Sequence, residues 1–245
     1  MRTITRLLIG ILFCASVLAQ STQYMTTFPK QENPLSEGGE WIDGRVTGLD
    51  WGSVQTLPNG TGFHATGTNL NHTTNPNYDD STAVLAGSWS SDQSASAVVY
   101  NLGTSNVCCE EVELRLRTTI TAHSITGYEF NFSVVNGNAY AQIVRWNGPL
   151  NNFTYVSVTG TNPPAIRNGD TVMAKAIGDQ LTLYVNGVLY YTGIDSTYKN
   201  GSPGIGFWNS SGTLADYNDF GFQNFTAVSL GTGPQPPTNL KATVN

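Results

Sequence analysis

The chain has 245 residues, of which 11% are charged, with 11 lysines and arginines set against 17 aspartates and glutamates. A formal net charge of −6, with no lysine or arginine run anywhere, excludes a basic surface of the kind that binds nucleic acid or anionic membranes. The length suits one large β domain rather than two small ones, and 26 glycines with many Asn, Ser and Thr suit a sandwich with polar turns.

The N-terminus reads MRTITRLLIGILFCASVLAQ. Arg2 and Arg6 give a basic start, Leu7 to Phe13 an apolar run, and Val17-Leu18-Ala19 a small-residue cleavage pattern. This predicts a secretory signal peptide over residues 1–19, its apolar run too short to span a bilayer. The mature chain is expected outside the cytoplasm, with no membrane insertion. Its net charge becomes about −8, from nine basic residues against seventeen acidic. Only Cys108 and Cys109 remain, so no disulfide framework staples the fold. Export to an oxidising compartment favours a vicinal disulfide between them, and ring strain opposes it.

Period-two alternation dominates, and no stretch of ten or more residues follows a 3.6-residue period. "GEWIDGRV" near the start reads as a strand that could pair with "NDFGFQNFTAV" near the end. "VELRLRTTI" places Val112, Leu114, Leu116 and Ile120 on one side, with Glu113, Arg115 and Arg117 on the other. In "GYEFNFSVV", Tyr128, Phe130, Phe132 and Val134 alternate against Glu129, Asn131 and Ser133, and Asn136-Gly137 turns the chain. In "GDTVMAKAIGDQLTLYVNGVLYYTG", Gly178-Asp179 and Asn186-Gly187 divide three strands of a meander. Asn-Gly favours a two-residue type I′ turn, which would pair Val185 with Val188 and Leu183 with Tyr190. Short strands joined by turn residues predict an all-β, antiparallel β-sandwich over residues 20–230. "GTGPQPPTNLKATVN" then gives a Pro-rich linker or tail, residues 231–245.

The stretch "GDTVMAKAIGDQLTLYVNGVLYYTGIDSTYKNGSPGIGF" resembles the closing half of a concanavalin A-like lectin/glucanase (laminin-G-like) jelly roll. "NPLSEGGEWIDG" matches that family's lead into a tryptophan, and the resemblance spans roughly residues 28 to 228. It implies a jelly-roll sandwich. It does not choose among the glycan-binding modules, hydrolases, lyases and adhesion domains that share the fold. "PPTNLKATV" separately resembles the first strand of a fibronectin type III domain, and is read as a tail. Related sandwiches bind Ca2+ near a sheet edge, and Asp79, Asp80, Asp216 and Asp219 could supply oxygens. Their spacing matches no EF-hand loop, and turn-forming aspartate is the plainer reading. No cofactor other than calcium is in question.

Jelly-roll glucanases carry E-x-D-x-E on the catalytic strand. Laid on that pattern, Glu111 and Glu113 take the first two places and Arg115 the third, where the acid/base belongs. A guanidinium cannot donate and retrieve a proton at working pH. The R-x-E-L-R core of jelly-roll alginate lyases fits Glu113-Leu114-Arg115, but Glu111 stands where its first arginine belongs. The charged residues are therefore expected to pair across strands or to touch a ligand, not to cut one. The leading expectation is a secreted, non-catalytic carbohydrate-binding module with a polysaccharide or glycan as partner. Its ligand face would draw on Glu113, Arg115, Arg117 and Glu129, with Trp146 or Tyr184 as aromatic platforms. A polysaccharide-degrading enzyme with an atypical site, and an adhesion module that recognises protein, are the alternatives.

Overall fold

The computed structural model describes residues 22–68, 80–104, 109–210 and 216–231. The expected leader (1–19) and the expected tail beyond Gly231, with Asp79 and Cys108, lie outside the described residues.

In chain order the elements begin with β1 (Gln23–Thr26), β2 (Trp41–Asp43), the short helix α1 (Gly44–Thr47), β3 (Val54–Pro58), β4 (Phe63–Gly67) and β5 (Ser81–Leu85). Then come β6 (Gln93–Asn101), β7 (Glu110–Thr121), β8 (Ser124–Ser133), β9 (Ala141–Gly148), β10 (Phe153–Tyr155) and β11 (Val158–Gly160). The last are β12 (Thr171–Ile177), β13 (Gln180–Val185), β14 (Val188–Ile194), β15 (Ser202–Asn209), β16 (Phe220–Phe222) and β17 (Phe225–Ser229). Among the described residues they form two antiparallel sheets. One runs β10-β9-β8-β7-β15-β5-β2; the other runs β11-β14-β13-β12-β6-β16-β4-β3, with β17 joining β6 to β1.

The sequence pattern explains the sandwich. Val112, Leu114 and Leu116 of β7, with Tyr128, Phe130 and Phe132 of β8, bury their side chains in the main core. The second sheet contributes the alanines of β6 and β12 (Ala95, Ala97, Ala174 and Ala176), together with Val172, Leu181 and Leu183. Bulky rings in one sheet and small side chains in the other let the layers interdigitate. Phe207 of β15 meets Phe222 of β16 across the layers, ring centroids 5.3 Å apart. The fold is an all-β, antiparallel jelly-roll sandwich, as the alternation and the resemblance implied.

Three details differ from expectation. The opening strand β2 pairs with β5, not with the end of the chain; β1, further upstream, pairs with β17 instead. The Asn186-Gly187 turn forms with φ of 50° and 77°, and Val185 does oppose Val188. A bulge between Leu183 and Tyr184 then sets Leu183 against Tyr191 rather than Tyr190, so both tyrosines pack beside the core. A second bulge in β7, between Leu116 and Thr119, removes Arg117 from the face that period-two alternation gives it.

Candidate functional site

The outer face of the seven-stranded sheet carries the polar side chains. The register sets Glu113 opposite Asn131 and Arg115 opposite Glu129 on β8, while Glu129 and Asn131 face Val144 and Gln142 on β9. On the other side of β7, Trp208 opposes Glu111 and Gly206 opposes Glu113. Gly206 has to be glycine: a Cβ there would lie 2.1 Å from Glu113 Oε2 and 2.9 Å from Arg115 Nε. The "GIG" stretch that marked the family resemblance thus leaves room for a buried ion pair.

Part of this face is roofed. The chain between α1 and β3 lays Trp51 over it, with Arg115 Cζ 5.3 Å from the indole centroid. Asp43 anchors that segment by accepting hydrogen bonds from Val46 N (3.1 Å), the Ser53 hydroxyl (3.0 Å) and Val54 N (3.0 Å). Leu49, Trp51, Ile125, Val144 and Trp146 form a small second core beneath the roof, and Trp51 meets Trp146 edge-on at 4.6 Å. Below it, Arg115 donates to Glu113 through Nη2 and lies 3.0 Å from Glu129 through Nη1, with Asp80 at 3.9 Å. Glu129 also accepts from Trp146 Nε1 at 2.5 Å and Asn131 Nδ2 at 3.1 Å. Burial works against the charge on Arg115, but the carboxylates of Glu113, Glu129 and Asp80 outweigh it and hold the guanidinium protonated. Burial pushes the Glu113 carboxyl well above its usual range, with the Glu129 charge adding to the effect and Arg115 opposing it.

The unroofed part is a cleft of about 490 Å³. Glu111, Glu129, Asn131 and Gln142 lie along it, Tyr140, Trp146, Phe153, Tyr155 and Trp208 supply aromatic surface, and Asp80, Asn138 and Cys109 complete its edge. Tyr140 donates its hydroxyl proton to Glu111. Burial raises the Glu111 carboxyl to about 8; the Glu129 charge adds to this, and the Tyr140 hydrogen bond opposes it. Burial and the neighbouring Glu111 carboxyl raise the Tyr140 hydroxyl above its ordinary value. Tyr155 stands open at the rim, with Phe153 half-buried beside it.

Of the six expected ligand residues, Glu113, Arg115, Glu129 and Trp146 are brought together in one contact network, and Arg117 and Tyr184 are not. Glu129 and Trp146 line the cleft, Trp146 as part of its apolar wall. Glu113 and Arg115 are fully buried beneath and beside it. Arg117 is turned away by the bulge with φ of 52°, donating from Nε to Ser91 O (2.6 Å) and from Nη1 to Tyr198 O (3.1 Å). It ties β7 to neighbouring loops. Tyr184 belongs to the other sheet, where Lys175 Nζ lies 5.1 Å from its ring centroid. Arg145, adjacent to Trp146 in sequence, points to the opposite side of β9 and binds Asp195 at 2.6 Å. Sequence reasoning missed Tyr140, Gln142 and Tyr155 as lining residues. The signal for Tyr140 and Gln142 was their alternation out of the Asn136-Gly137 turn, in phase with Asn131 and Glu129.

Cys109 enters β7 with φ of 123° and is in a disulfide. The expected partner, Cys108, lies outside the described residues.

The carboxylates of Asp80, Glu113 and Glu129 have oxygens within 4.8 Å of one another, a spacing that a metal ion could use. They do not fit calcium, because the Arg115 guanidinium already stands among them as the counter-ion. Of the other acids considered for calcium, Asp219 accepts from the Thr104 hydroxyl, and Asp79 and the Asp216 side chain are not among the described groups. Among the described residues, no helix is long and apolar enough to cross a membrane.

No family model matches the sequence, and no curated protein matches it. Solved structures do. The exoplasmic/lumenal domain of VIP36 in its Ca2+/Man2-bound form is similar with a TM-score of 0.53 at 6% identity, covering 87% of this chain and 90% of that one. A carbohydrate-binding module from Bacillus subtilis has a TM-score of 0.48 at 14% identity, covering 80% and 95%. A β-porphyranase from the gut bacterium Bacteroides plebeius has 0.48 at 10% identity, covering 87% and 94%. At these identities the likeness concerns the fold, which is concanavalin A-like.

Proposed function

We propose that the chain is a secreted, non-catalytic carbohydrate-binding module whose ligand lies in the cleft on the outer face of the seven-stranded sheet. The observation that carries the reading is the make-up of that cleft. Open and half-buried rings (Tyr155, Phe153, Trp208) flank a row of amide and carboxyl groups (Asn131, Gln142, Glu111). Sugar rings stack on aromatic faces and their hydroxyls bond to such polar rows. The chemistry argues against cutting. Retaining hydrolysis needs two carboxyls free to act as nucleophile and acid. Glu129 is engaged by Arg115, Trp146 and Asn131, and the third place on β7 is an arginine. The leader-like N-terminus and the disulfide at Cys109 support action in an oxidising compartment.

Calorimetric titration with a panel of oligosaccharides tests the reading. Binding is expected in the micromolar to millimolar range, and Tyr155→Ala, at an exposed rim position, should weaken it by about 1 kcal/mol without lowering the melting temperature. Release of reducing ends or unsaturated products from any polysaccharide of the panel would show an enzyme instead.

A further inference from the structure

We infer that the cleft selects uncharged, hydroxyl-bearing sugar chains over uronate or sulfated chains, a refinement that rests on the glycan-binding reading above. Two independent features lead there. The first is charge. Asp80 and Glu129 line the cleft, and among the described residues no lysine, arginine or histidine does. Arg115, the nearest cation, is committed to Glu113 and Glu129 and is fully buried. An anionic chain would therefore enter a site of its own sign with nothing to neutralise it.

The second feature is a pair of buried polar atoms without partners. Trp208 Nε1 and Asn131 Oδ1 both belong to cleft-lining residues, and neither makes a hydrogen bond among the described residues. They flank β7 on opposite sides, since Trp208 opposes Glu111 and Asn131 opposes Glu113. The indole N–H can only donate, and the amide oxygen can only accept. A carboxylate or sulfate could take the indole proton but has none to give to Asn131. Hydroxyl groups do both, so successive hydroxyls of a neutral chain crossing β7 satisfy both atoms. Leaving such atoms unmatched in the bound state is costly, so the requirement discriminates between ligands. The carboxyl of Glu111, raised to about 8 by burial and the Glu129 charge, keeps its proton at neutral pH and adds a further donor for a sugar oxygen.

The test is calorimetric titration of the full chain at pH 7 with hexasaccharides derived from galactan, mannan, xylan and β-glucan. Each is set beside the anionic oligomers: oligogalacturonate and oligomannuronate. At least one neutral chain should bind, with the charged oligomers about tenfold weaker or undetectable. Trp208→Phe keeps an aromatic ring and removes the N–H, and should weaken the neutral ligand about fivefold while the melting temperature stays unchanged. A charged oligomer that binds as tightly as every neutral chain, or more tightly, overturns the class while leaving the glycan-binding reading in place. Unchanged affinity in Trp208→Phe overturns the hydroxyl recognition assigned to that indole. If no sugar of any class binds, the glycan-binding reading falls as well.

Discussion

Arg115 shows what a single position decides. Alternation along β7 puts it on the outer face with Glu111 and Glu113, where an acid would have made a catalytic strand. As an arginine it becomes the internal counter-ion of a buried cluster, covered by Trp51 and given space by Gly206. Buried pairs add little net stability when formed, but they are costly to break from one side. Arg115→Met leaves Glu113 and Glu129 buried beside each other with no cation. The expected loss is about 3–5 kcal/mol of unfolding free energy in urea titration. A loss under about 1 kcal/mol would mean that the two carboxyls simply take up protons and that the arginine is dispensable.

At the scale of elements, two bulges mark the limit of what was legible. Period-two alternation located β7, β8, β12, β13 and β14 and assigned the inner faces of β7 and β8, because hydrophobic burial acts on every second residue. It placed Glu113, Arg115, Glu129 and Asn131 on one face, and the register confirms that placement. It could not see that Arg117 and Thr118 together oppose a single residue of β8, which moves Arg117 off that face. Nor could it show Trp51 closing over Arg115, since that contact joins segments 64 residues apart with no local pattern to announce it. The bulge has its own requirement. A Cβ on Gly201, which has φ of 126°, would lie 2.4 Å from the carbonyl carbon of Arg117, and one on Gly127 would lie 2.7 Å from its oxygen. Gly201→Ala should therefore cost about 2 kcal/mol or more, combining the positive-φ penalty with backbone displacement. Thermal melting checks it. Gly187→Ala, in the open hairpin turn with nothing within 4 Å of a Cβ, should cost only about 1 kcal/mol.

Across the whole molecule, the two sheets respond to pH with opposite signs. In the ten-stranded sheet, His64 is fully buried against Tyr100, with ring centroids 4.2 Å apart, and burial lowers its pKa from 6.5 to about 4. The unfolded chain takes up that proton first, so stability falls as pH drops from 6.5 to 4, by about 3 kcal/mol from this group. In the seven-stranded sheet, Glu111 is raised from 4.5 to about 8, chiefly by burial. Here the folded chain holds the proton longer. The contribution is fully present below pH 4.5 and is lost as pH rises through 8, on the order of 5 kcal/mol in total. Glu113, raised for the same reason, acts in the same direction. Between pH 8 and 6.5 only the glutamates act, and acidification stabilises. Between 6.5 and 4.5 the histidine opposes them and the curve flattens. Below 4.5 stability declines, since His64 continues to lose and the lowered carboxyls of Glu32 and Asp195 begin to protonate. Calorimetric melting from pH 4 to 9 should therefore peak between about 4.5 and 6.5 and fall on the alkaline side. Glu111→Gln keeps an acceptor for Tyr140 but has no charge to bury, so it should flatten the alkaline fall and leave the acidic fall unchanged. A wild-type maximum above pH 7.5, or a variant with the same alkaline slope, would place the titrating group elsewhere.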